Sequence, residues 1–271
     1  MNLLERKMVD ALKDMKENHH VVGVKAEFEA EGTRLEEMLR LKEVCMSAGL
    51  SLTIKIGGCE ALRDMYECRV IGVERLVAPM VETAYALKKF LAAVKMAFPP
   101  EEREEVIFAV NIETINGCKT FDEMLTLKEI PLLKGIIMGR VDLTGSLGLT
   151  REDINCPQVF EITRELLGKA KQKNLETAIG GGVSAYSLPF FRNLPAGTLD
   201  RYETRKVIFG CPGALAPDAD RGIMKAVGFE LLWLKNKRDY YATISKEDEQ
   251  RIGMLEYRYK SLIEAAGGKY E

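Results

Sequence analysis

Two kinds of hydrophobic block alternate along the chain. Short, nearly continuous runs rich in Val, Ile and Leu are typical of buried parallel strands, and longer blocks with an apolar residue every three or four positions are typical of helices. The pattern predicts seven strands with their exit turns, at 21–32, 50–58, 73–83, 106–118, 133–148, 175–184 and 202–210. It predicts helices between them at 33–49, 59–72, 84–98, 119–128 and 157–173.

The two ends of the chain are predicted to be helical. Residues 1–18 have helical spacing. Two long helices are expected at 217–244 and 245–268, with Ser245 as the N-cap of the second, because acidic residues follow it. No eighth strand is recognisable, so that strand is either short or replaced by the N-terminal elements.

Alternating strands and helices predict repeated right-handed βαβ units, which form either a barrel or an open sheet. No GxGxxG follows the first strand, which disfavours a dinucleotide-binding sheet. Polar residues collect at the ends of several successive strands, as in α/β barrels of about 250 residues. We therefore predict a single (β/α)8 TIM-barrel domain over 1–271, with an N-terminal helix at 1–20 and a C-terminal helical extension at 214–271.

Composition limits the possible partners. The formal net charge is −2, so nothing points to nucleic acid or a membrane surface. No apolar run reaches the roughly 18–20 residues of a membrane span. Six cysteines without a CxxC pair and two adjacent histidines give no zinc-site spacing, and a cytoplasmic protein with free thiols is the simplest interpretation.

Two acidic residues stand out because each follows a strongly apolar strand. Glu113 ends one run and Asp142 ends the next. The carboxyl ends of neighbouring parallel strands lie together, and two carboxylates with open positions suit Mg²⁺ or Mn²⁺. The alternative is that both residues cap the following helices or pair with Lys or Arg.

The motifs around these residues resemble a known family. NIETINGC (111–118), GIIMGRVDLTGSLG (135–148) and VAPMVET (77–83) are similar to the HpcH/HpaI aldolase and citrate lyase β-chain family of TIM barrels. The resemblance covers roughly 20–185 and is clearest at 70–148. It implies that Glu113 and Asp142 are the metal ligands.

The resemblance implies a divalent-metal-dependent carbon–carbon lyase or aldolase. Such an enzyme acts on a 2-oxoacid through a pyruvate- or oxaloacetate-like enolate. Two alternatives remain: a CoA-thioester lyase of the citryl- or malyl-CoA type, and a non-catalytic metal-binding barrel. Homo-oligomers are common in the family, so one is expected here.

The chain departs from the family pattern where acid–base chemistry is expected. Lys55 stands where the family has an arginine that touches the keto oxygen, and it is predicted to polarise that group unless it is merely a solvated strand-end lysine. The histidine after the first strand is absent. Glu27, Glu29 or a water at the metal would then move protons, or both glutamates simply form ion pairs.

The segment around Asp142 is predicted to bind the substrate's anionic groups. Backbone N–H groups at a helix start near Val141 would receive the carboxylate, with Gly139 and Thr144 beside them. Arg140 replaces the family's usual proline and is predicted to bind a distal anion, the alternative being an ion pair with a glutamate. Arg205 and Lys206 are weaker anion-site candidates.

Overall fold

The strands close into a barrel. The computed structural model describes residues 1–269, and in it each strand pairs with the next along the chain until the eighth pairs with the first. The strands are Val21–Glu27 (β1), Ser51–Lys55 (β2), Arg75–Ala78 (β3), Ile107–Ile112 (β4), Gly135–Gly139 (β5), Glu176–Gly180 (β6), Arg201–Glu203 (β7) and Val207–Gly210 (β8). The predicted eight-stranded TIM-type barrel is confirmed.

Helices surround the barrel and connect its strands. They are Leu3–His19 (α1), Leu35–Ala48 (α2), Leu62–Ile71 (α3), Ala84–Ala97 (α4), Pro100–Glu105 (α5), Ile115–Met124 (α6), Arg140–Ser146 (α7), Pro157–Gln172 (α8), Leu188–Arg192 (α9) and Ala219–Ala265 (α10). Short 3₁₀ helices add to these, including Arg151–Asn155 after α7. Within residues 1–269, no helix combines the length and hydrophobicity that crossing a membrane requires.

The eighth strand lies inside the segment predicted as one strand at 202–210. That segment is a hairpin in which β8 runs antiparallel to both β7 and β1, whereas the other neighbouring strands are parallel. The turn at 204–206 is closed by backbone hydrogen bonding between Thr204 and Val207. It contains charged residues rather than Gly or Asn, so the sequence carries no turn signal there.

The C-terminal extension is a single helix, so the prediction of two helices divided at Ser245 is wrong. Helix α10 runs without interruption through Ser245. A serine followed by acidic residues also fits a solvated helix interior, and the N-cap pattern alone does not distinguish the two cases. The first half of α10 packs against α1, and residues 242–262 are exposed.

Side chains inside the barrel form layers, as expected of this fold. The middle layer is apolar and buried, and consists of Val77, Ala109, Ile137 and Ala178. Towards the amino ends of the strands, Arg75 donates to both carboxylate oxygens of Glu176 at 2.8 Å. These layers fill the lower barrel, so the space available for chemistry lies at the carboxyl ends of the strands.

Candidate functional site

A polar cavity of about 400 Å³ opens at the carboxyl ends of the strands. Its charged lining residues are Lys25, Glu27, Glu29, Lys55, Glu113, Asp142, Arg151, Glu203, Arg205 and Glu230. Asn111, Gly139, Val141 and the Gly180–Val183 turn complete much of the wall. The structure therefore brings five of the predicted site residues to one cavity: Glu113, Asp142, Lys55, Glu27 and Glu29.

Glu113 is held in a fixed position at the end of β4. Its side chain is buried, Oε1 accepts from the Met80 backbone N–H at 3.0 Å, and Oε2 accepts from Asn111 Nδ2 at 2.8 Å. Burial raises the pKa of Glu113 even though Met80, Lys55 and Asn111 favour its charged form. A buried carboxylate that lacks a contacting cation is expensive to ionise, so this position favours a positive ligand.

Gly139 makes room for the Glu113 side chain. A Cβ at Gly139 would lie 2.3 Å from Glu113 Oε2 and 2.7 Å from Glu113 Cβ. These separations are far below van der Waals contact, so only glycine allows the strand β5 backbone to pass this close to the carboxylate. The predicted position of Gly139 in the site thus has a steric reason.

Asp142 lies in the first turn of α7 with an exposed side chain at the cavity mouth. Its pKa is raised, first because surrounding atoms remove part of its hydration and then because Glu29 and Glu27 are close; Lys55 opposes the shift. The negative charge of Asp142 in turn contributes to raising the pKa of Glu113. Two mutually repelling carboxylates on one side of a cavity are the expected electrostatic environment of a cation site.

The donor set at this end of the cavity suits a divalent cation. Asn111 Oδ1 is buried and, among the described residues, has no hydrogen-bond partner, so a third oxygen stands beside Glu113. Residues 1–269 contain no group of three His, Cys, Asp or Glu side chains that could enclose a metal. Two carboxylates and an amide oxygen are hard ligands that fit Mg²⁺ or Mn²⁺ with positions left for water and substrate.

Opposite these carboxylates lies a network of ion pairs. Lys25 Nζ contacts Glu203 at 2.7 Å and Glu27 at 3.3 Å, and Lys55 Nζ contacts Glu29 at 2.6 Å and Glu27 at 3.7 Å. Burial disfavours both ammonium groups, but the neighbouring carboxylates outweigh it and raise the pKa of each lysine. Both lysines therefore act as fixed positive charges.

Glu27 remains ionised within this network. Burial alone would raise its pKa, but Lys25, Lys55 and Arg205 lower it. Its Oε2 atom is buried and has no hydrogen-bond partner among the described residues. The predicted ion pairing of Glu27 with lysine is present, and one oxygen is still available to accept a proton.

Arg140 does not reach the cavity, which corrects its prediction as an anion-binding residue. It is completely buried and donates to Asn155 Oδ1 at 2.6 Å, Gly181 O at 3.0 Å and Ser187 Oγ at 3.1 Å. Its guanidinium also stacks 5.0 Å from the Phe191 ring. Burial lowers its pKa to about 10. Through these hydrogen bonds, Arg140 links the turn that follows β6 at Gly181 to the 3₁₀ helix Arg151–Asn155.

Thr144 is also outside the site. Its side chain is buried and its hydroxyl donates to the Val141 carbonyl at 2.7 Å within α7, so the prediction that it binds substrate is corrected.

Val141 does line the cavity. A Cβ at Gly181 would lie 2.7 Å from the Val141 nitrogen, and its φ of +80° is one that glycine adopts without strain.

Several wall residues escaped the sequence analysis. Asn111 precedes Glu113 by two positions and Lys25 precedes Glu27 by two, so strand periodicity places each pair on one face. Glu203 came from a segment whose hairpin was not recognised. Arg205 lies in that turn and pairs with Glu31 at 3.1 Å, while Lys206, also paired with Glu31, stacks over the Trp233 ring outside the cavity lining.

The fold and the site first define a class: an α/β barrel whose polar cavity lies at the carboxyl ends of its strands, where barrel enzymes hold their active sites. A similarity to one family is found in the sequence. Residues 58–184 match the model of the HpcH/HpaI aldolase/citrate lyase family. The predicted resemblance is confirmed over this segment, which carries both Glu113 and Asp142.

Solved structures agree in fold. An HpcH/HpaI aldolase from Desulfitobacterium hafniense has a TM-score of 0.60 at 17% identity, covering 80% of this chain and 88% of that one. A family protein from Burkholderia cenocepacia has 0.58 at 13% identity over 81% and 90%. Citrate synthase SbnG has 0.58 at 14% identity over 90% and 89%. No protein of curated function matches the chain in sequence.

Proposed function

We propose that this protein is a divalent-metal-dependent carbon–carbon lyase or aldolase that cleaves a 2-oxoacid through a pyruvate- or oxaloacetate-like enolate. One observation carries the proposal. The oxygens of Glu113, Asp142 and Asn111 line the same cavity as the ammonium of Lys55. A cation site and a fixed positive charge within one small cavity are what an anionic enolate requires.

The residues have distinct roles in this proposal. Glu113 and Asp142 would hold Mg²⁺ or Mn²⁺, which would supply Lewis-acid stabilisation of the enolate charge. Lys55 stabilises the negative charge that develops on the keto oxygen. Its ion pair with Glu29 fixes the ammonium in advance, so little reorganisation is needed during the reaction. The backbone N–H of Val141 orients the carboxylate.

Glu27 is the proposed base. Breaking the bond between C3 and C4 of a 4-hydroxy-2-oxoacid requires removal of the C4 hydroxyl proton, and the electron pair of the broken bond passes into the enolate. Glu27 is ionised, and its Oε2 accepts no hydrogen bond from the described residues, so this oxygen is available to take the hydroxyl proton. A nearby carboxylate of this kind replaces the family histidine.

The first prediction is a metal-dependent cleavage activity. We expect pyruvate release from at least one 4-hydroxy-2-oxoacid in the presence of Mn²⁺ or Mg²⁺, and its loss on chelation with EDTA, because the enolate charge is then left without its main stabiliser. A lactate dehydrogenase-coupled assay over a panel of these acids measures it. Acyl-CoA thioesters in the same assay series test the alternative lyase, and metal binding without any cleavage would favour a non-catalytic barrel.

We also propose that the protein forms homo-oligomers through α10. Ile252, Leu255 and Leu262 are each more than half exposed and recur at coiled-coil spacing on the part of α10 that projects beyond the barrel. In a parallel pair with these residues in the seam, Arg251 of one copy faces Glu256 of the other. A solitary helix about 30 Å long, the length of residues 242–262, with such a stripe is poorly stable in water, so a second copy of the chain is the proposed partner.

The second prediction concerns this interface. Leu255→Glu is expected to shift the protein from an oligomer to a monomer because it places a charge in the apolar seam. Lys260→Glu, an exposed change off the seam, is the control and should leave the mass unchanged. Light scattering after gel filtration measures both. A wild-type protein that is monomeric at micromolar concentration would rule out the proposal.

The compartment is proposed to be the cytoplasm. All six cysteines are free, although the chain has enough of them for three bridges. Burial raises the pKa of Cys211 to about 12 and that of Cys118 to about 11. Such thiols are unreactive at neutral pH, and a reducing compartment is their ordinary setting.

A further inference from the structure

One cation in the cavity wall differs from the others. The cavity is lined by four cationic side chains, and three of them have carboxylate partners: Lys25 with Glu203, Lys55 with Glu29 and Arg205 with Glu31. Within residues 1–269 the side chain of the fourth, Arg151, has neither an ion pair nor a hydrogen bond. A charged group that lines a concave site and is not satisfied by the protein is available to a ligand.

The backbone that carries Arg151 is held in place. Arg151 begins the 3₁₀ helix Arg151–Asn155, and Thr150 and Asp153 form a reciprocal cap at its start. The other end is tied by the hydrogen bond from Arg140 to Asn155. The exposed guanidinium side chain of Arg151 therefore extends from a fixed backbone in the cavity lining.

The charged groups that line the cavity indicate which kind of ligand group Arg151 would bind. Six carboxylates and four cations line the cavity, which leaves a deficit of two positive charges that one divalent cation would offset. The carboxylate and keto end of a 2-oxoacid is then accounted for by the cation and Lys55. Among the four cations in this count, Arg151 is the one that no carboxylate of the described residues contacts, so a second anionic group of the substrate can pair with it without breaking an ion pair of the protein.

We propose that Arg151 is a specificity-determining residue that binds a second anionic group at the distal end of the substrate. The inference rests on the proposed function and narrows its substrate to 2-oxoacids with a distal carboxylate. A guanidinium presents paired N–H donors that match a carboxylate, which gives both affinity and orientation. Arg205 is the less suitable residue because it is already paired with Glu31 and lies 4.0 Å from Glu27.

Binding of non-cleavable acids tests the inference without catalysis. Titration calorimetry in the presence of Mn²⁺ would compare 2-oxoglutarate with 2-oxopentanoate, which carries a methyl group in place of the distal carboxylate. Wild-type protein is expected to favour 2-oxoglutarate by about 10- to 100-fold, the usual value of a charge-assisted contact. Arg151→Gln should abolish the preference, and Arg151→Lys should retain part of it.

Cleavage provides the second readout. Arg151→Gln is expected to lower kcat/KM for 4-hydroxy-2-oxoglutarate by about 10- to 100-fold, mainly through KM, with little change for 4-hydroxy-2-oxopentanoate. Arg63→Gln, which removes an exposed arginine of α3, is the matched control and should change neither.

The outcomes separate the two proposals. If wild-type protein cleaves a 2-oxoacid but Arg151→Gln keeps the full preference for the distal carboxylate, the inference about Arg151 is overturned and the proposed function stands. The same holds if Arg205→Gln removes the preference instead. If wild-type protein neither binds nor cleaves any 2-oxoacid, the proposed function fails and the inference fails with it.

Discussion

Replacement of Glu113 by Gln is expected to abolish metal-dependent cleavage while the barrel remains folded. The amide cannot supply the negative charge that holds a divalent cation. Loss of several kcal/mol of Lewis-acid stabilisation corresponds to a fall in kcat of about 10³-fold or more. Pyruvate release measures the activity, and the Mn²⁺-induced rise in melting temperature measures metal binding; both should be lost.

The structure explains why Glu113→Gln should fold. The amide oxygen of the new side chain can still accept from the Met80 N–H, and rotation of the Asn111 amide would bring its unpartnered Oδ1 to the new N–H₂ group. Burial also disfavours the charged form of Glu113, so without metal the neutral variant should be at least as stable as wild type. Glu123→Gln on the exposed face of α6 is the control. Metal-dependent activity within tenfold of wild type would contradict the assignment of Glu113.

Gly139→Ala is expected to damage the same site from the neighbouring strand. The new methyl group would overlap Glu113 Oε2 and, more seriously, Glu113 Cβ, which cannot swing away because it is fixed to the β4 backbone. The strands must therefore separate locally. Overpacking of this kind costs about 1–3 kcal/mol of folding free energy. Displacement of the carboxylate should also weaken Mn²⁺ binding by about 10-fold or more.

Gly145→Ala provides a matched control for this effect. Gly145 lies in α7, only six positions further along, and within residues 1–269 an added Cβ there would meet no atom within 4 Å apart from its chain neighbours and the backbone of its own helix. Alanine also favours a helix interior, so this variant should be as stable as wild type or slightly more so. Chemical denaturation and calorimetric titration with Mn²⁺ measure both variants. Equal Mn²⁺ affinity in the two variants would show that Gly139 is not needed to position Glu113.

Most of the site residues that could be predicted from the sequence were found from the periodicity of the strands. Glu113, Asp142, Lys55 and Glu27 all follow apolar runs, and parallel strands in a barrel bring such positions to one end. Arg140 shows the limit of that argument. It directly follows a strand, but α7 begins there and turns its side chain towards the β6 turn. The position of Arg140 in the sequence predicts a side chain at the mouth of the cavity. The start of α7 directs that side chain away from the cavity instead.

Arg151, the residue proposed to bind the distal anion in place of Arg140, could not be identified from the sequence. Arg151 lies in a polar segment without periodicity, and its proximity to the cavity depends on contacts made by other residues, chiefly Asn155 with Arg140. Whether a charged side chain is paired or available depends on which side chains surround it in space. Sequence spacing does not contain this information when the partners come from distant segments.

The sequence by itself determined the barrel and the two carboxylates, because hydrophobic period and strand order are local properties that the fold preserves. Only the tertiary structure decided three other features. The hairpin of β7 and β8 closes the barrel without a turn signal, because pairing with β6 and β1 stabilises it. Helix α10 continues through Ser245, since no break is imposed there. The distinction between the paired cations and Arg151, which has no partner within residues 1–269, arises from contacts between residues far apart in the chain.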